Sequence, residues 1–303
     1  MRFEEYERSD LACENFGSRS VHTDGAHFTE RCVGRFRIGR WRICTESAAW
    51  ELKKPIGTYV TFECGKIECL SQTENEALCR LLAGELKGMA ERLTQKETNG
   101  DFGVFVAGLG NAELTADAIG PKTVSRLTAT RHLREFERRL FRAVGCASIS
   151  AIAPGVLGQT GIETLELLRG AVRYVRPDVV IVVDALAARS CERLASTIQV
   201  SDVGIEPGSG VGNHRAAVDR STLGVPVISI GVPTVVNSAT LVYDALREAG
   251  IDRIDDSLHR VLKTGKSFFV SPKESDLICD RVSTLLAKAM GLAFGGELAT
   301  YDA

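Results

Sequence analysis

The sequence predicts a three-layer α/β fold, in which a mostly parallel sheet is covered by helices on both faces. Segments with strand patterns alternate with segments of helical periodicity, and this order is typical of such folds. Residues 179–183 form an unbroken run of β-branched side chains, as expected for a strand that is buried on both faces. No repeat, low-complexity tract or linker divides the chain, so we expect one domain.

The predicted elements begin after an irregular N-terminal region. Residues 1 to about 50 show no sustained hydrophobic period. Residues 57–64 alternate apolar and polar side chains and form the first predicted strand. A capping-box pattern at residues 73–76 opens a helix, and residues 102–107 form the second strand. The apolar stripe of that first helix consists of Leu78, Leu81, Leu82, Leu86, Met89 and Leu93.

Strand and helix patterns continue to alternate towards the C-terminus. A helical region precedes Gly145. Later strands are predicted at residues 148–153, 197–200 and 226–231. Later helices are predicted from a capping box at 160–163, at about 239–250, and from a capping box at 271–274.

The composition excludes several classes of protein. The 303 residues carry a net charge of -2, so no basic surface predicts binding to nucleic acid or to an anionic membrane. No apolar run approaches the roughly 18 residues of a membrane helix, and the N-terminus lacks the apolar core of a signal peptide. The nine cysteines form no C-x-x-C pair and the five histidines form no metal-binding cluster. We therefore expect a cytoplasmic protein with reduced thiols, no metal and no other cofactor.

Two aspartates follow predicted strands and are candidate catalytic residues. Asp184 comes directly after the 179–183 run, and Asp117 follows the 102–107 strand and a glycine loop. Ligands of open α/β sheets bind beyond the carboxyl ends of the strands, so both carboxylates would share one edge if the strands are neighbours. Two carboxylates in one site cannot both ionise easily, and such a pair can perform general acid–base hydrolysis. The alternative is that each Asp caps a turn or helix.

Two glycine-rich loops, at residues 108–111 and 208–213, are candidate walls of a peptide groove. Their glycines permit tight turns and close approach of the backbone to a ligand. Neither loop has the spacing of a P-loop or dinucleotide motif, although a phosphate-binding nest is an alternative for the second. The candidate groove residues are Asn111, Gly208, Gly210 and Asn213. No G-x-S-x-G elbow is present, and no base is evident for the hydroxyl candidates Thr115, Ser190 and Ser209.

Several longer motifs resemble the germination protease family of spore-forming Firmicutes. They are Thr115-Ala-Asp-Ala-Ile-Gly-Pro-Lys, Ala151-Ile-Ala-Pro-Gly-Val-Leu-Gly-Gln-Thr-Gly, Asp184-Ala-Leu-Ala-Ala-Arg-Ser and Pro207-Gly-Ser-Gly-Val-Gly-Asn-His-Arg. The resemblance runs from about residue 100 to 240 and resumes at 271–276. It implies an endopeptidase that initiates the degradation of small acid-soluble spore proteins during germination, located in the cytoplasm of the forespore or in the spore core.

The resemblance also implies the fold, the catalytic pair and the assembly. The fold is expected to be similar to that of the hydrogenase maturation proteases. The family is of the aspartic type, and its two aspartates fall on Asp117 and Asp184. Its members are typically tetrameric, so a homo-oligomer is expected, with no direct contact to nucleic acid or membrane.

Self-processing is a further implication of the resemblance. The family is made as a zymogen that cleaves itself at Arg-Thr-Asp followed by Leu-Ala, and Arg8-Ser-Asp-Leu-Ala matches this motif. Cleavage between Asp10 and Leu11 would remove residues 1–10 as a prosegment. Residues 11–303 would then be a single peptidase domain.

Two other functions are alternatives to a self-processing aspartic peptidase. One is a metal-assisted hydrolase, since the hydrogenase maturation fold can hold a metal near its carboxylates. The other is a non-catalytic α/β protein that binds peptides through the glycine loops, which would form stable complexes and release no fragments.

Overall fold

Nine strands form one mixed sheet in the computed structural model, which describes residues 9–16, 23–209, 215–251, 255–264 and 268–296. The strands are β1 (Ala26–Val33), β2 (Phe36–Ile43), β3 (Gly57–Glu63), β4 (Gly103–Gly108), β5 (Ser148–Ile152), β6 (Val179–Ala188), β7 (Thr197–Ser201), β8 (Val227–Asn237) and β9 (Phe269–Val270). Their spatial order is β1-β2-β3-β7-β8-β6-β4-β5, and β9 pairs with β8.

The sheet has a parallel half and an antiparallel half. β8, β6, β4 and β5 are parallel neighbours. The remaining pairs, β1-β2, β2-β3, β3-β7, β7-β8 and β8-β9, are antiparallel. The α/β class is confirmed, and the predicted parallel order describes the half that contains β6. Because parallel strands end at one edge of a sheet, this half collects the residues that follow β4 and β6.

Helices connect the strands and cover both faces. They are α1 (Ala12–Phe16), α2 (Glu46–Leu52), α3 (Gln72–Thr94), α4 (Ile119–Arg126), α5 (Arg131–Phe136), α6 (Arg138–Val144), α7 (Leu157–Thr160), α8 (Thr164–Val175), α9 (Arg220–Leu223), α10 (Ser238–Glu248), α11 (Asp256–Thr264) and α12 (Ser275–Phe294). None of the helices in the described ranges combines the length and the apolar character that a membrane span needs.

Alternation along β6 divides its side chains between two cores. Ile181 and Val183 face the larger core, which α3, α4 and α12 cover. Val180 and Val182 point to the opposite face, where they pack with Leu168 of α8. Successive side chains of a strand point to opposite faces, so a strand between two helix layers must be apolar throughout. This explains the unbroken run in the sequence.

The N-terminal region, predicted to be irregular to about residue 50, contains the β1–β2 hairpin and α2. The prediction is wrong for residues 26–52: β2 alternates buried and exposed side chains towards both of its ends, a pattern that the prediction overlooked, whereas β1 is an edge strand with mostly exposed side chains. An exposed edge strand needs no apolar alternation, so its sequence carries no period of two. Phe28 of β1 stacks on Trp41 of β2, with 4.0 Å between ring centroids.

Three helix starts differ from the predicted capping boxes. The α3 helix is capped by Ser71, whose side chain accepts from the Glu74 N–H in a complete capping box, two residues before the predicted one. Glu163 and Glu274 precede the first residues of α8 and α12. Ser71 caps α3 with its side chain, whereas Glu274 makes no side-chain cap hydrogen bond at α12, so the spacing of polar residues alone does not determine where a helix starts.

Candidate active site

Asp184 lies within β6, where that strand loses one of its two neighbours. β4 pairs with β6 as far as Gly108 and Val183, whereas β8 continues beside β6 to Ala188. The predicted end of the strand at Asp184 is therefore wrong, because the small apolar residues that follow extend the pairing with β8. Beyond Val183 the β4 side of β6 is open to a different segment.

The segment that reaches this open edge is the loop after β4, and it carries Asp117. The backbone N–H of Leu109 donates to the carbonyl oxygen of Val183 at 2.8 Å. The loop then returns through a 3-10 turn, Thr115–Asp117. The Asp117 carboxylate accepts the backbone N–H of Asn111 at 2.8 Å. The glycine loop thus orients the carboxylate that follows it.

Two contacts hold the Asp117 turn in place. Gly110 has a φ of 108°, and a Cβ there would lie 2.0 Å from the Asp117 carbonyl oxygen. Only glycine permits this approach. On the other side, the Thr234 hydroxyl of β8 donates to the carbonyl oxygen of Ala116 at 2.6 Å.

The two carboxylates act on each other electrostatically. Asp184 is 6% exposed, and burial raises its pKa well above the usual value, with the Asp117 and Asp10 carboxylates raising it further. Burial also raises the pKa of Asp117, but the Asn111 N–H opposes this shift. Asp184 is therefore the group that keeps its proton more strongly, and Asp117 is the group that ionises more readily.

The N-terminal segment lies against β6 beside this pair. The Asp10 N–H donates to the carbonyl oxygen of Ala187 at 3.0 Å, and the Ala187 N–H donates to the Asp10 carboxylate at 2.9 Å. The Ser209 hydroxyl donates to the other carboxylate oxygen at 2.6 Å. Leu11 is fully buried with Leu186, Ala188 and Val236. Asp10 and Leu11 are thus bound along β6 in a bend that leads into α1, and the N–H and the carboxylate of Asp10 both bond to Ala187.

The residues after Leu11 are also bound. The Ala12 N–H donates to the Gln199 side chain at 2.6 Å. The Glu14 carboxylate accepts the backbone N–H groups of Arg189 and Ser190 at 2.8 and 2.9 Å, and the Arg193 guanidinium lies 3.6 Å from it. A segment of five residues is therefore held on both sides of one peptide bond, from Asp10 to Glu14.

The side chain of Lys54, in the turn between α2 and β3, contacts the bound segment. Its ammonium donates to the carbonyl oxygen of Asp10 at 3.1 Å. A cavity of about 170 Å³ adjoins this contact and is lined in part by Asp10, Lys54, Tyr59 and Ser209. Burial lowers the pKa of Lys54, whereas the Asp10 and Glu206 carboxylates raise it.

The structure brings together most of the predicted site residues. Asp117, Asp184, Asp10 and Leu11 meet at one edge of the sheet, and Asn111 contributes its backbone N–H. Gly208, with a φ of 74°, turns the chain into Ser209. Gly210 and Asn213 lie outside the described residues. Within the described ranges, no three His, Cys, Asp or Glu side chains are arranged to hold a metal ion.

Sequence analysis missed two of the binding residues, Lys54 and Glu14, and considered a different role for a third, Ser209. Lys54 lies between α2 and β3, and no motif or hydrophobic period in the sequence marks it. Glu14 follows the matched Asp-Leu-Ala motif, but nothing in its spacing indicates that backbone N–H groups bind it. Ser209 was a candidate nucleophile, and the structure shows its hydroxyl donating to Asp10.

Comparisons with known proteins agree with the motifs. The family model for germination protease matches residues 6–249. A germination protease of Caldanaerobacter subterraneus is 36% identical over 94% of this chain and 93% of its own length. One from Clostridium perfringens is 35% identical over 97% of both chains, and one from Priestia megaterium is 45% identical over 79% of this chain and 64% of its own.

Among solved structures, the chain is similar to a [NiFe] hydrogenase maturation protease, HycI from Thermococcus kodakarensis KOD1. The match covers 67% of this chain and 98% of that one, with 17% sequence identity and a TM-score of 0.35.

Proposed function

This chain belongs to the germination protease family and is a protease, and on that premise we propose that it is an endopeptidase that uses Asp117 and Asp184. The observation that supports this most directly is that Asp10 and Leu11, which flank the proposed scissile bond, are bound on β6 beside two carboxyl groups whose pKa values are both raised, that of Asp184 more strongly. Pairs of titratable groups whose environments separate their pKa values are typical of acid–base sites.

The unequal pair assigns a role to each carboxylate. Ionised Asp117 takes a proton from water, and the water oxygen adds to the carbonyl carbon. The tetrahedral intermediate collapses when its C–N bond breaks, and protonated Asp184 gives its proton to the departing nitrogen. The products are a carboxylic acid and an amine, and a proton passing from Asp117 to Asp184 restores the starting state.

The proposals for activation and substrate rest on the bound N-terminal segment and on family membership. We propose that the first substrate is the chain itself, cleaved between Asp10 and Leu11 so that residues 1–10 leave as a prosegment. After their release the strip along β6 is free for an extended segment of another protein. Small acid-soluble spore proteins, degraded in the spore core at germination, are the proposed substrates, and family membership supports this.

Two variants test the proposed pair. Asp117→Asn and Asp184→Asn each remove one acid while keeping the size of the side chain. We expect each to lose about 10²–10⁴-fold in the rate of cleavage of an added small acid-soluble spore protein, and neither should generate a Leu11 N-terminus. Cleavage at the wild-type rate by either variant would refute the pair, and loss of activity with a chelator would favour the metal-assisted alternative.

A further inference from the structure

We propose that Lys54 is a further catalytic residue, whose ammonium group binds the oxygen of the carbonyl under attack and stabilises the negative charge that develops there. This inference rests on the proposed function, because the Asp10–Leu11 bond must be the one that is cleaved. It assigns to Lys54 a task that the two aspartates do not perform.

The contact itself is the first argument. The Lys54 ammonium lies 3.1 Å from the carbonyl oxygen of Asp10, which is the oxygen of the proposed scissile bond. That oxygen gains negative charge when water adds to the carbonyl carbon. A fixed positive group at hydrogen-bond distance from such an oxygen lowers the barrier more than it lowers the ground state, because the charge is largest in the transition state.

The charge balance of the site is the second argument. The Asp10 and Asp117 carboxylates both raise the pKa of Asp184, so three carboxyl groups are grouped at the site where Asp10 is bound. An additional negative charge on the carbonyl oxygen would be repelled by any ionised member of this group. The Lys54 ammonium lies at the oxygen itself; burial lowers its pKa, and the Asp10 and Glu206 carboxylates oppose that shift.

Hydrogen bonds on both sides of Lys54 fix the backbone from which its side chain extends. The α2 helix ends in a Schellman motif: Lys53 takes a left-handed φ of 53° and donates to Trp50, while the Lys54 N–H donates to Ala49 at 3.1 Å. Immediately after it, the Tyr59 hydroxyl donates to the Pro55 carbonyl oxygen at 2.8 Å. The base of the lysine side chain is thus fixed on both sides.

Packing joins this turn to the sheet. Ala48 and Leu52 of α2 are buried against Trp41 and Tyr59 on β2 and β3, together with Phe16 of α1. The α2 helix, the turn after it and the sheet form one packed unit, so the backbone that carries Lys54 is held in place beside the bound segment. Such prior orientation is the property that gives electrostatic stabilisation its effect.

The test uses self-cleavage of the full-length protein, because the bond is already bound and the rate reports the chemical step. We expect Lys54→Met to slow the appearance of the Leu11 N-terminus about 10²–10³-fold, as for loss of one oxyanion donor. Lys54→Arg should retain more activity than Lys54→Met, because it keeps the charge. Lys87→Met is the control, since Lys87 is exposed on α3 and does not line the cavity beside Asp10, and it should process at the wild-type rate.

Chemical rescue separates charge from packing. Propylammonium should accelerate self-cleavage by Lys54→Ala at least several-fold, whereas propanol should not. Thermal unfolding of every variant checks that it folds. A Lys54→Met protein that is folded and cleaves at the wild-type rate, or a Lys54→Ala protein rescued equally by both compounds, would overturn the role of Lys54.

Failure of this inference is distinguishable from failure of the aspartate pair. If Asp184→Asn is inactive while Lys54→Met is fully active, the pair stands and the Lys54 role is refuted. If Asp184→Asn cleaves normally while Lys54→Met does not, the pair is refuted and the lysine role is retained. Cleavage at a bond other than Asp10–Leu11 refutes the Lys54 role, because its carbonyl partner would not be the reacting one.

Discussion

Asp10 and Ala187 exchange two hydrogen bonds, one from the Asp10 N–H to the Ala187 carbonyl oxygen at 3.0 Å and one from the Ala187 N–H to the Asp10 carboxylate at 2.9 Å. Ala187 lies on the same strand as Asp184. The N-terminal segment of the chain therefore binds beside the carboxylates of its own subunit, without the help of a second molecule. This arrangement has a direct kinetic consequence.

Self-cleavage is expected to be intramolecular. The bond is already positioned, so the reaction should be first order, with a rate constant that does not change when protein concentration varies 100-fold. The measurement is the time course of the Leu11 N-terminus at several concentrations. A mixture of Asp184→Asn protein with active wild type provides the control, since the variant should be cleaved far more slowly than wild type cleaves itself. A rate proportional to concentration would contradict the prediction.

The Ser209 hydroxyl should contribute to binding the side chain of Asp10, the residue on the N-terminal side of the cleaved bond. Its hydroxyl donates to the Asp10 carboxylate at 2.6 Å, and a hydrogen bond to a charged group contributes about 1.5–3 kcal/mol. We expect Ser209→Ala to slow self-cleavage about 10–100-fold. In an Asp10→Ala background the same change should have little further effect, because the partner is already gone. Additive losses in the double variant would show that Ser209 acts elsewhere.

The parallel half of the fold and the placement of Asp117 and Asp184 at one edge of the sheet could be predicted from sequence, whereas the groups around them could not. The run before Asp184 must be apolar because two helix layers cover it, so burial leaves a local signal. No local pattern in the sequence marks Lys54 or Glu14 as a binding residue. Lys54 reaches Asp10 through the end of α2, and Glu14 is bound by backbone N–H groups of residues 189 and 190. Contacts between distant segments depend on tertiary packing, which periodicity does not encode.

The pH dependence of cleavage should follow the two raised carboxyl pKa values. Activity needs Asp184 protonated and Asp117 ionised. It should fall as pH rises through the raised pKa of Asp184, which removes the acid, and as pH falls through the pKa of Asp117, itself raised above 3.8. We expect a bell-shaped profile on the acidic side, measured as self-cleavage rate from pH 3 to 9. A rate that increases steadily up to pH 9 would contradict this assignment.

Asp184 should lower the stability of the protein near neutral pH. Its pKa is raised in the folded state, so the folded protein holds a proton that the unfolded chain releases above about pH 4. Between that pH and the folded pKa, this group removes stability by about 1.4 kcal/mol per pH unit. Asp184→Asn, which cannot ionise, should therefore be more stable than wild type at pH 7, and this advantage should disappear by about pH 3.

The control for this stability effect is Asp178→Asn, at the other end of β6. Asp178 binds the Lys96 ammonium at 2.5 Å and the Gly103 N–H at 2.7 Å, so its variant should lose stability at pH 7. Thermal unfolding of both variants across this pH range provides the measurement. An Asp184→Asn protein that is less stable than wild type at pH 7 would refute the buried, protonated state of Asp184.

Gly110 should be required for activity because the Asp117 turn passes against it. A Cβ at this position would lie 2.0 Å from the Asp117 carbonyl oxygen, at a φ of 108°. We expect Gly110→Ala to cost about 1–3 kcal/mol of stability and to displace the carboxylate, with at least a 10²-fold loss of cleavage. Gly145→Ala is the matched control, because Gly145 also has a positive φ but nothing within 4 Å of its Cβ position. That variant should lose stability while keeping the wild-type rate, and a Gly110→Ala protein that does the same would show that the turn can move without disturbing Asp117.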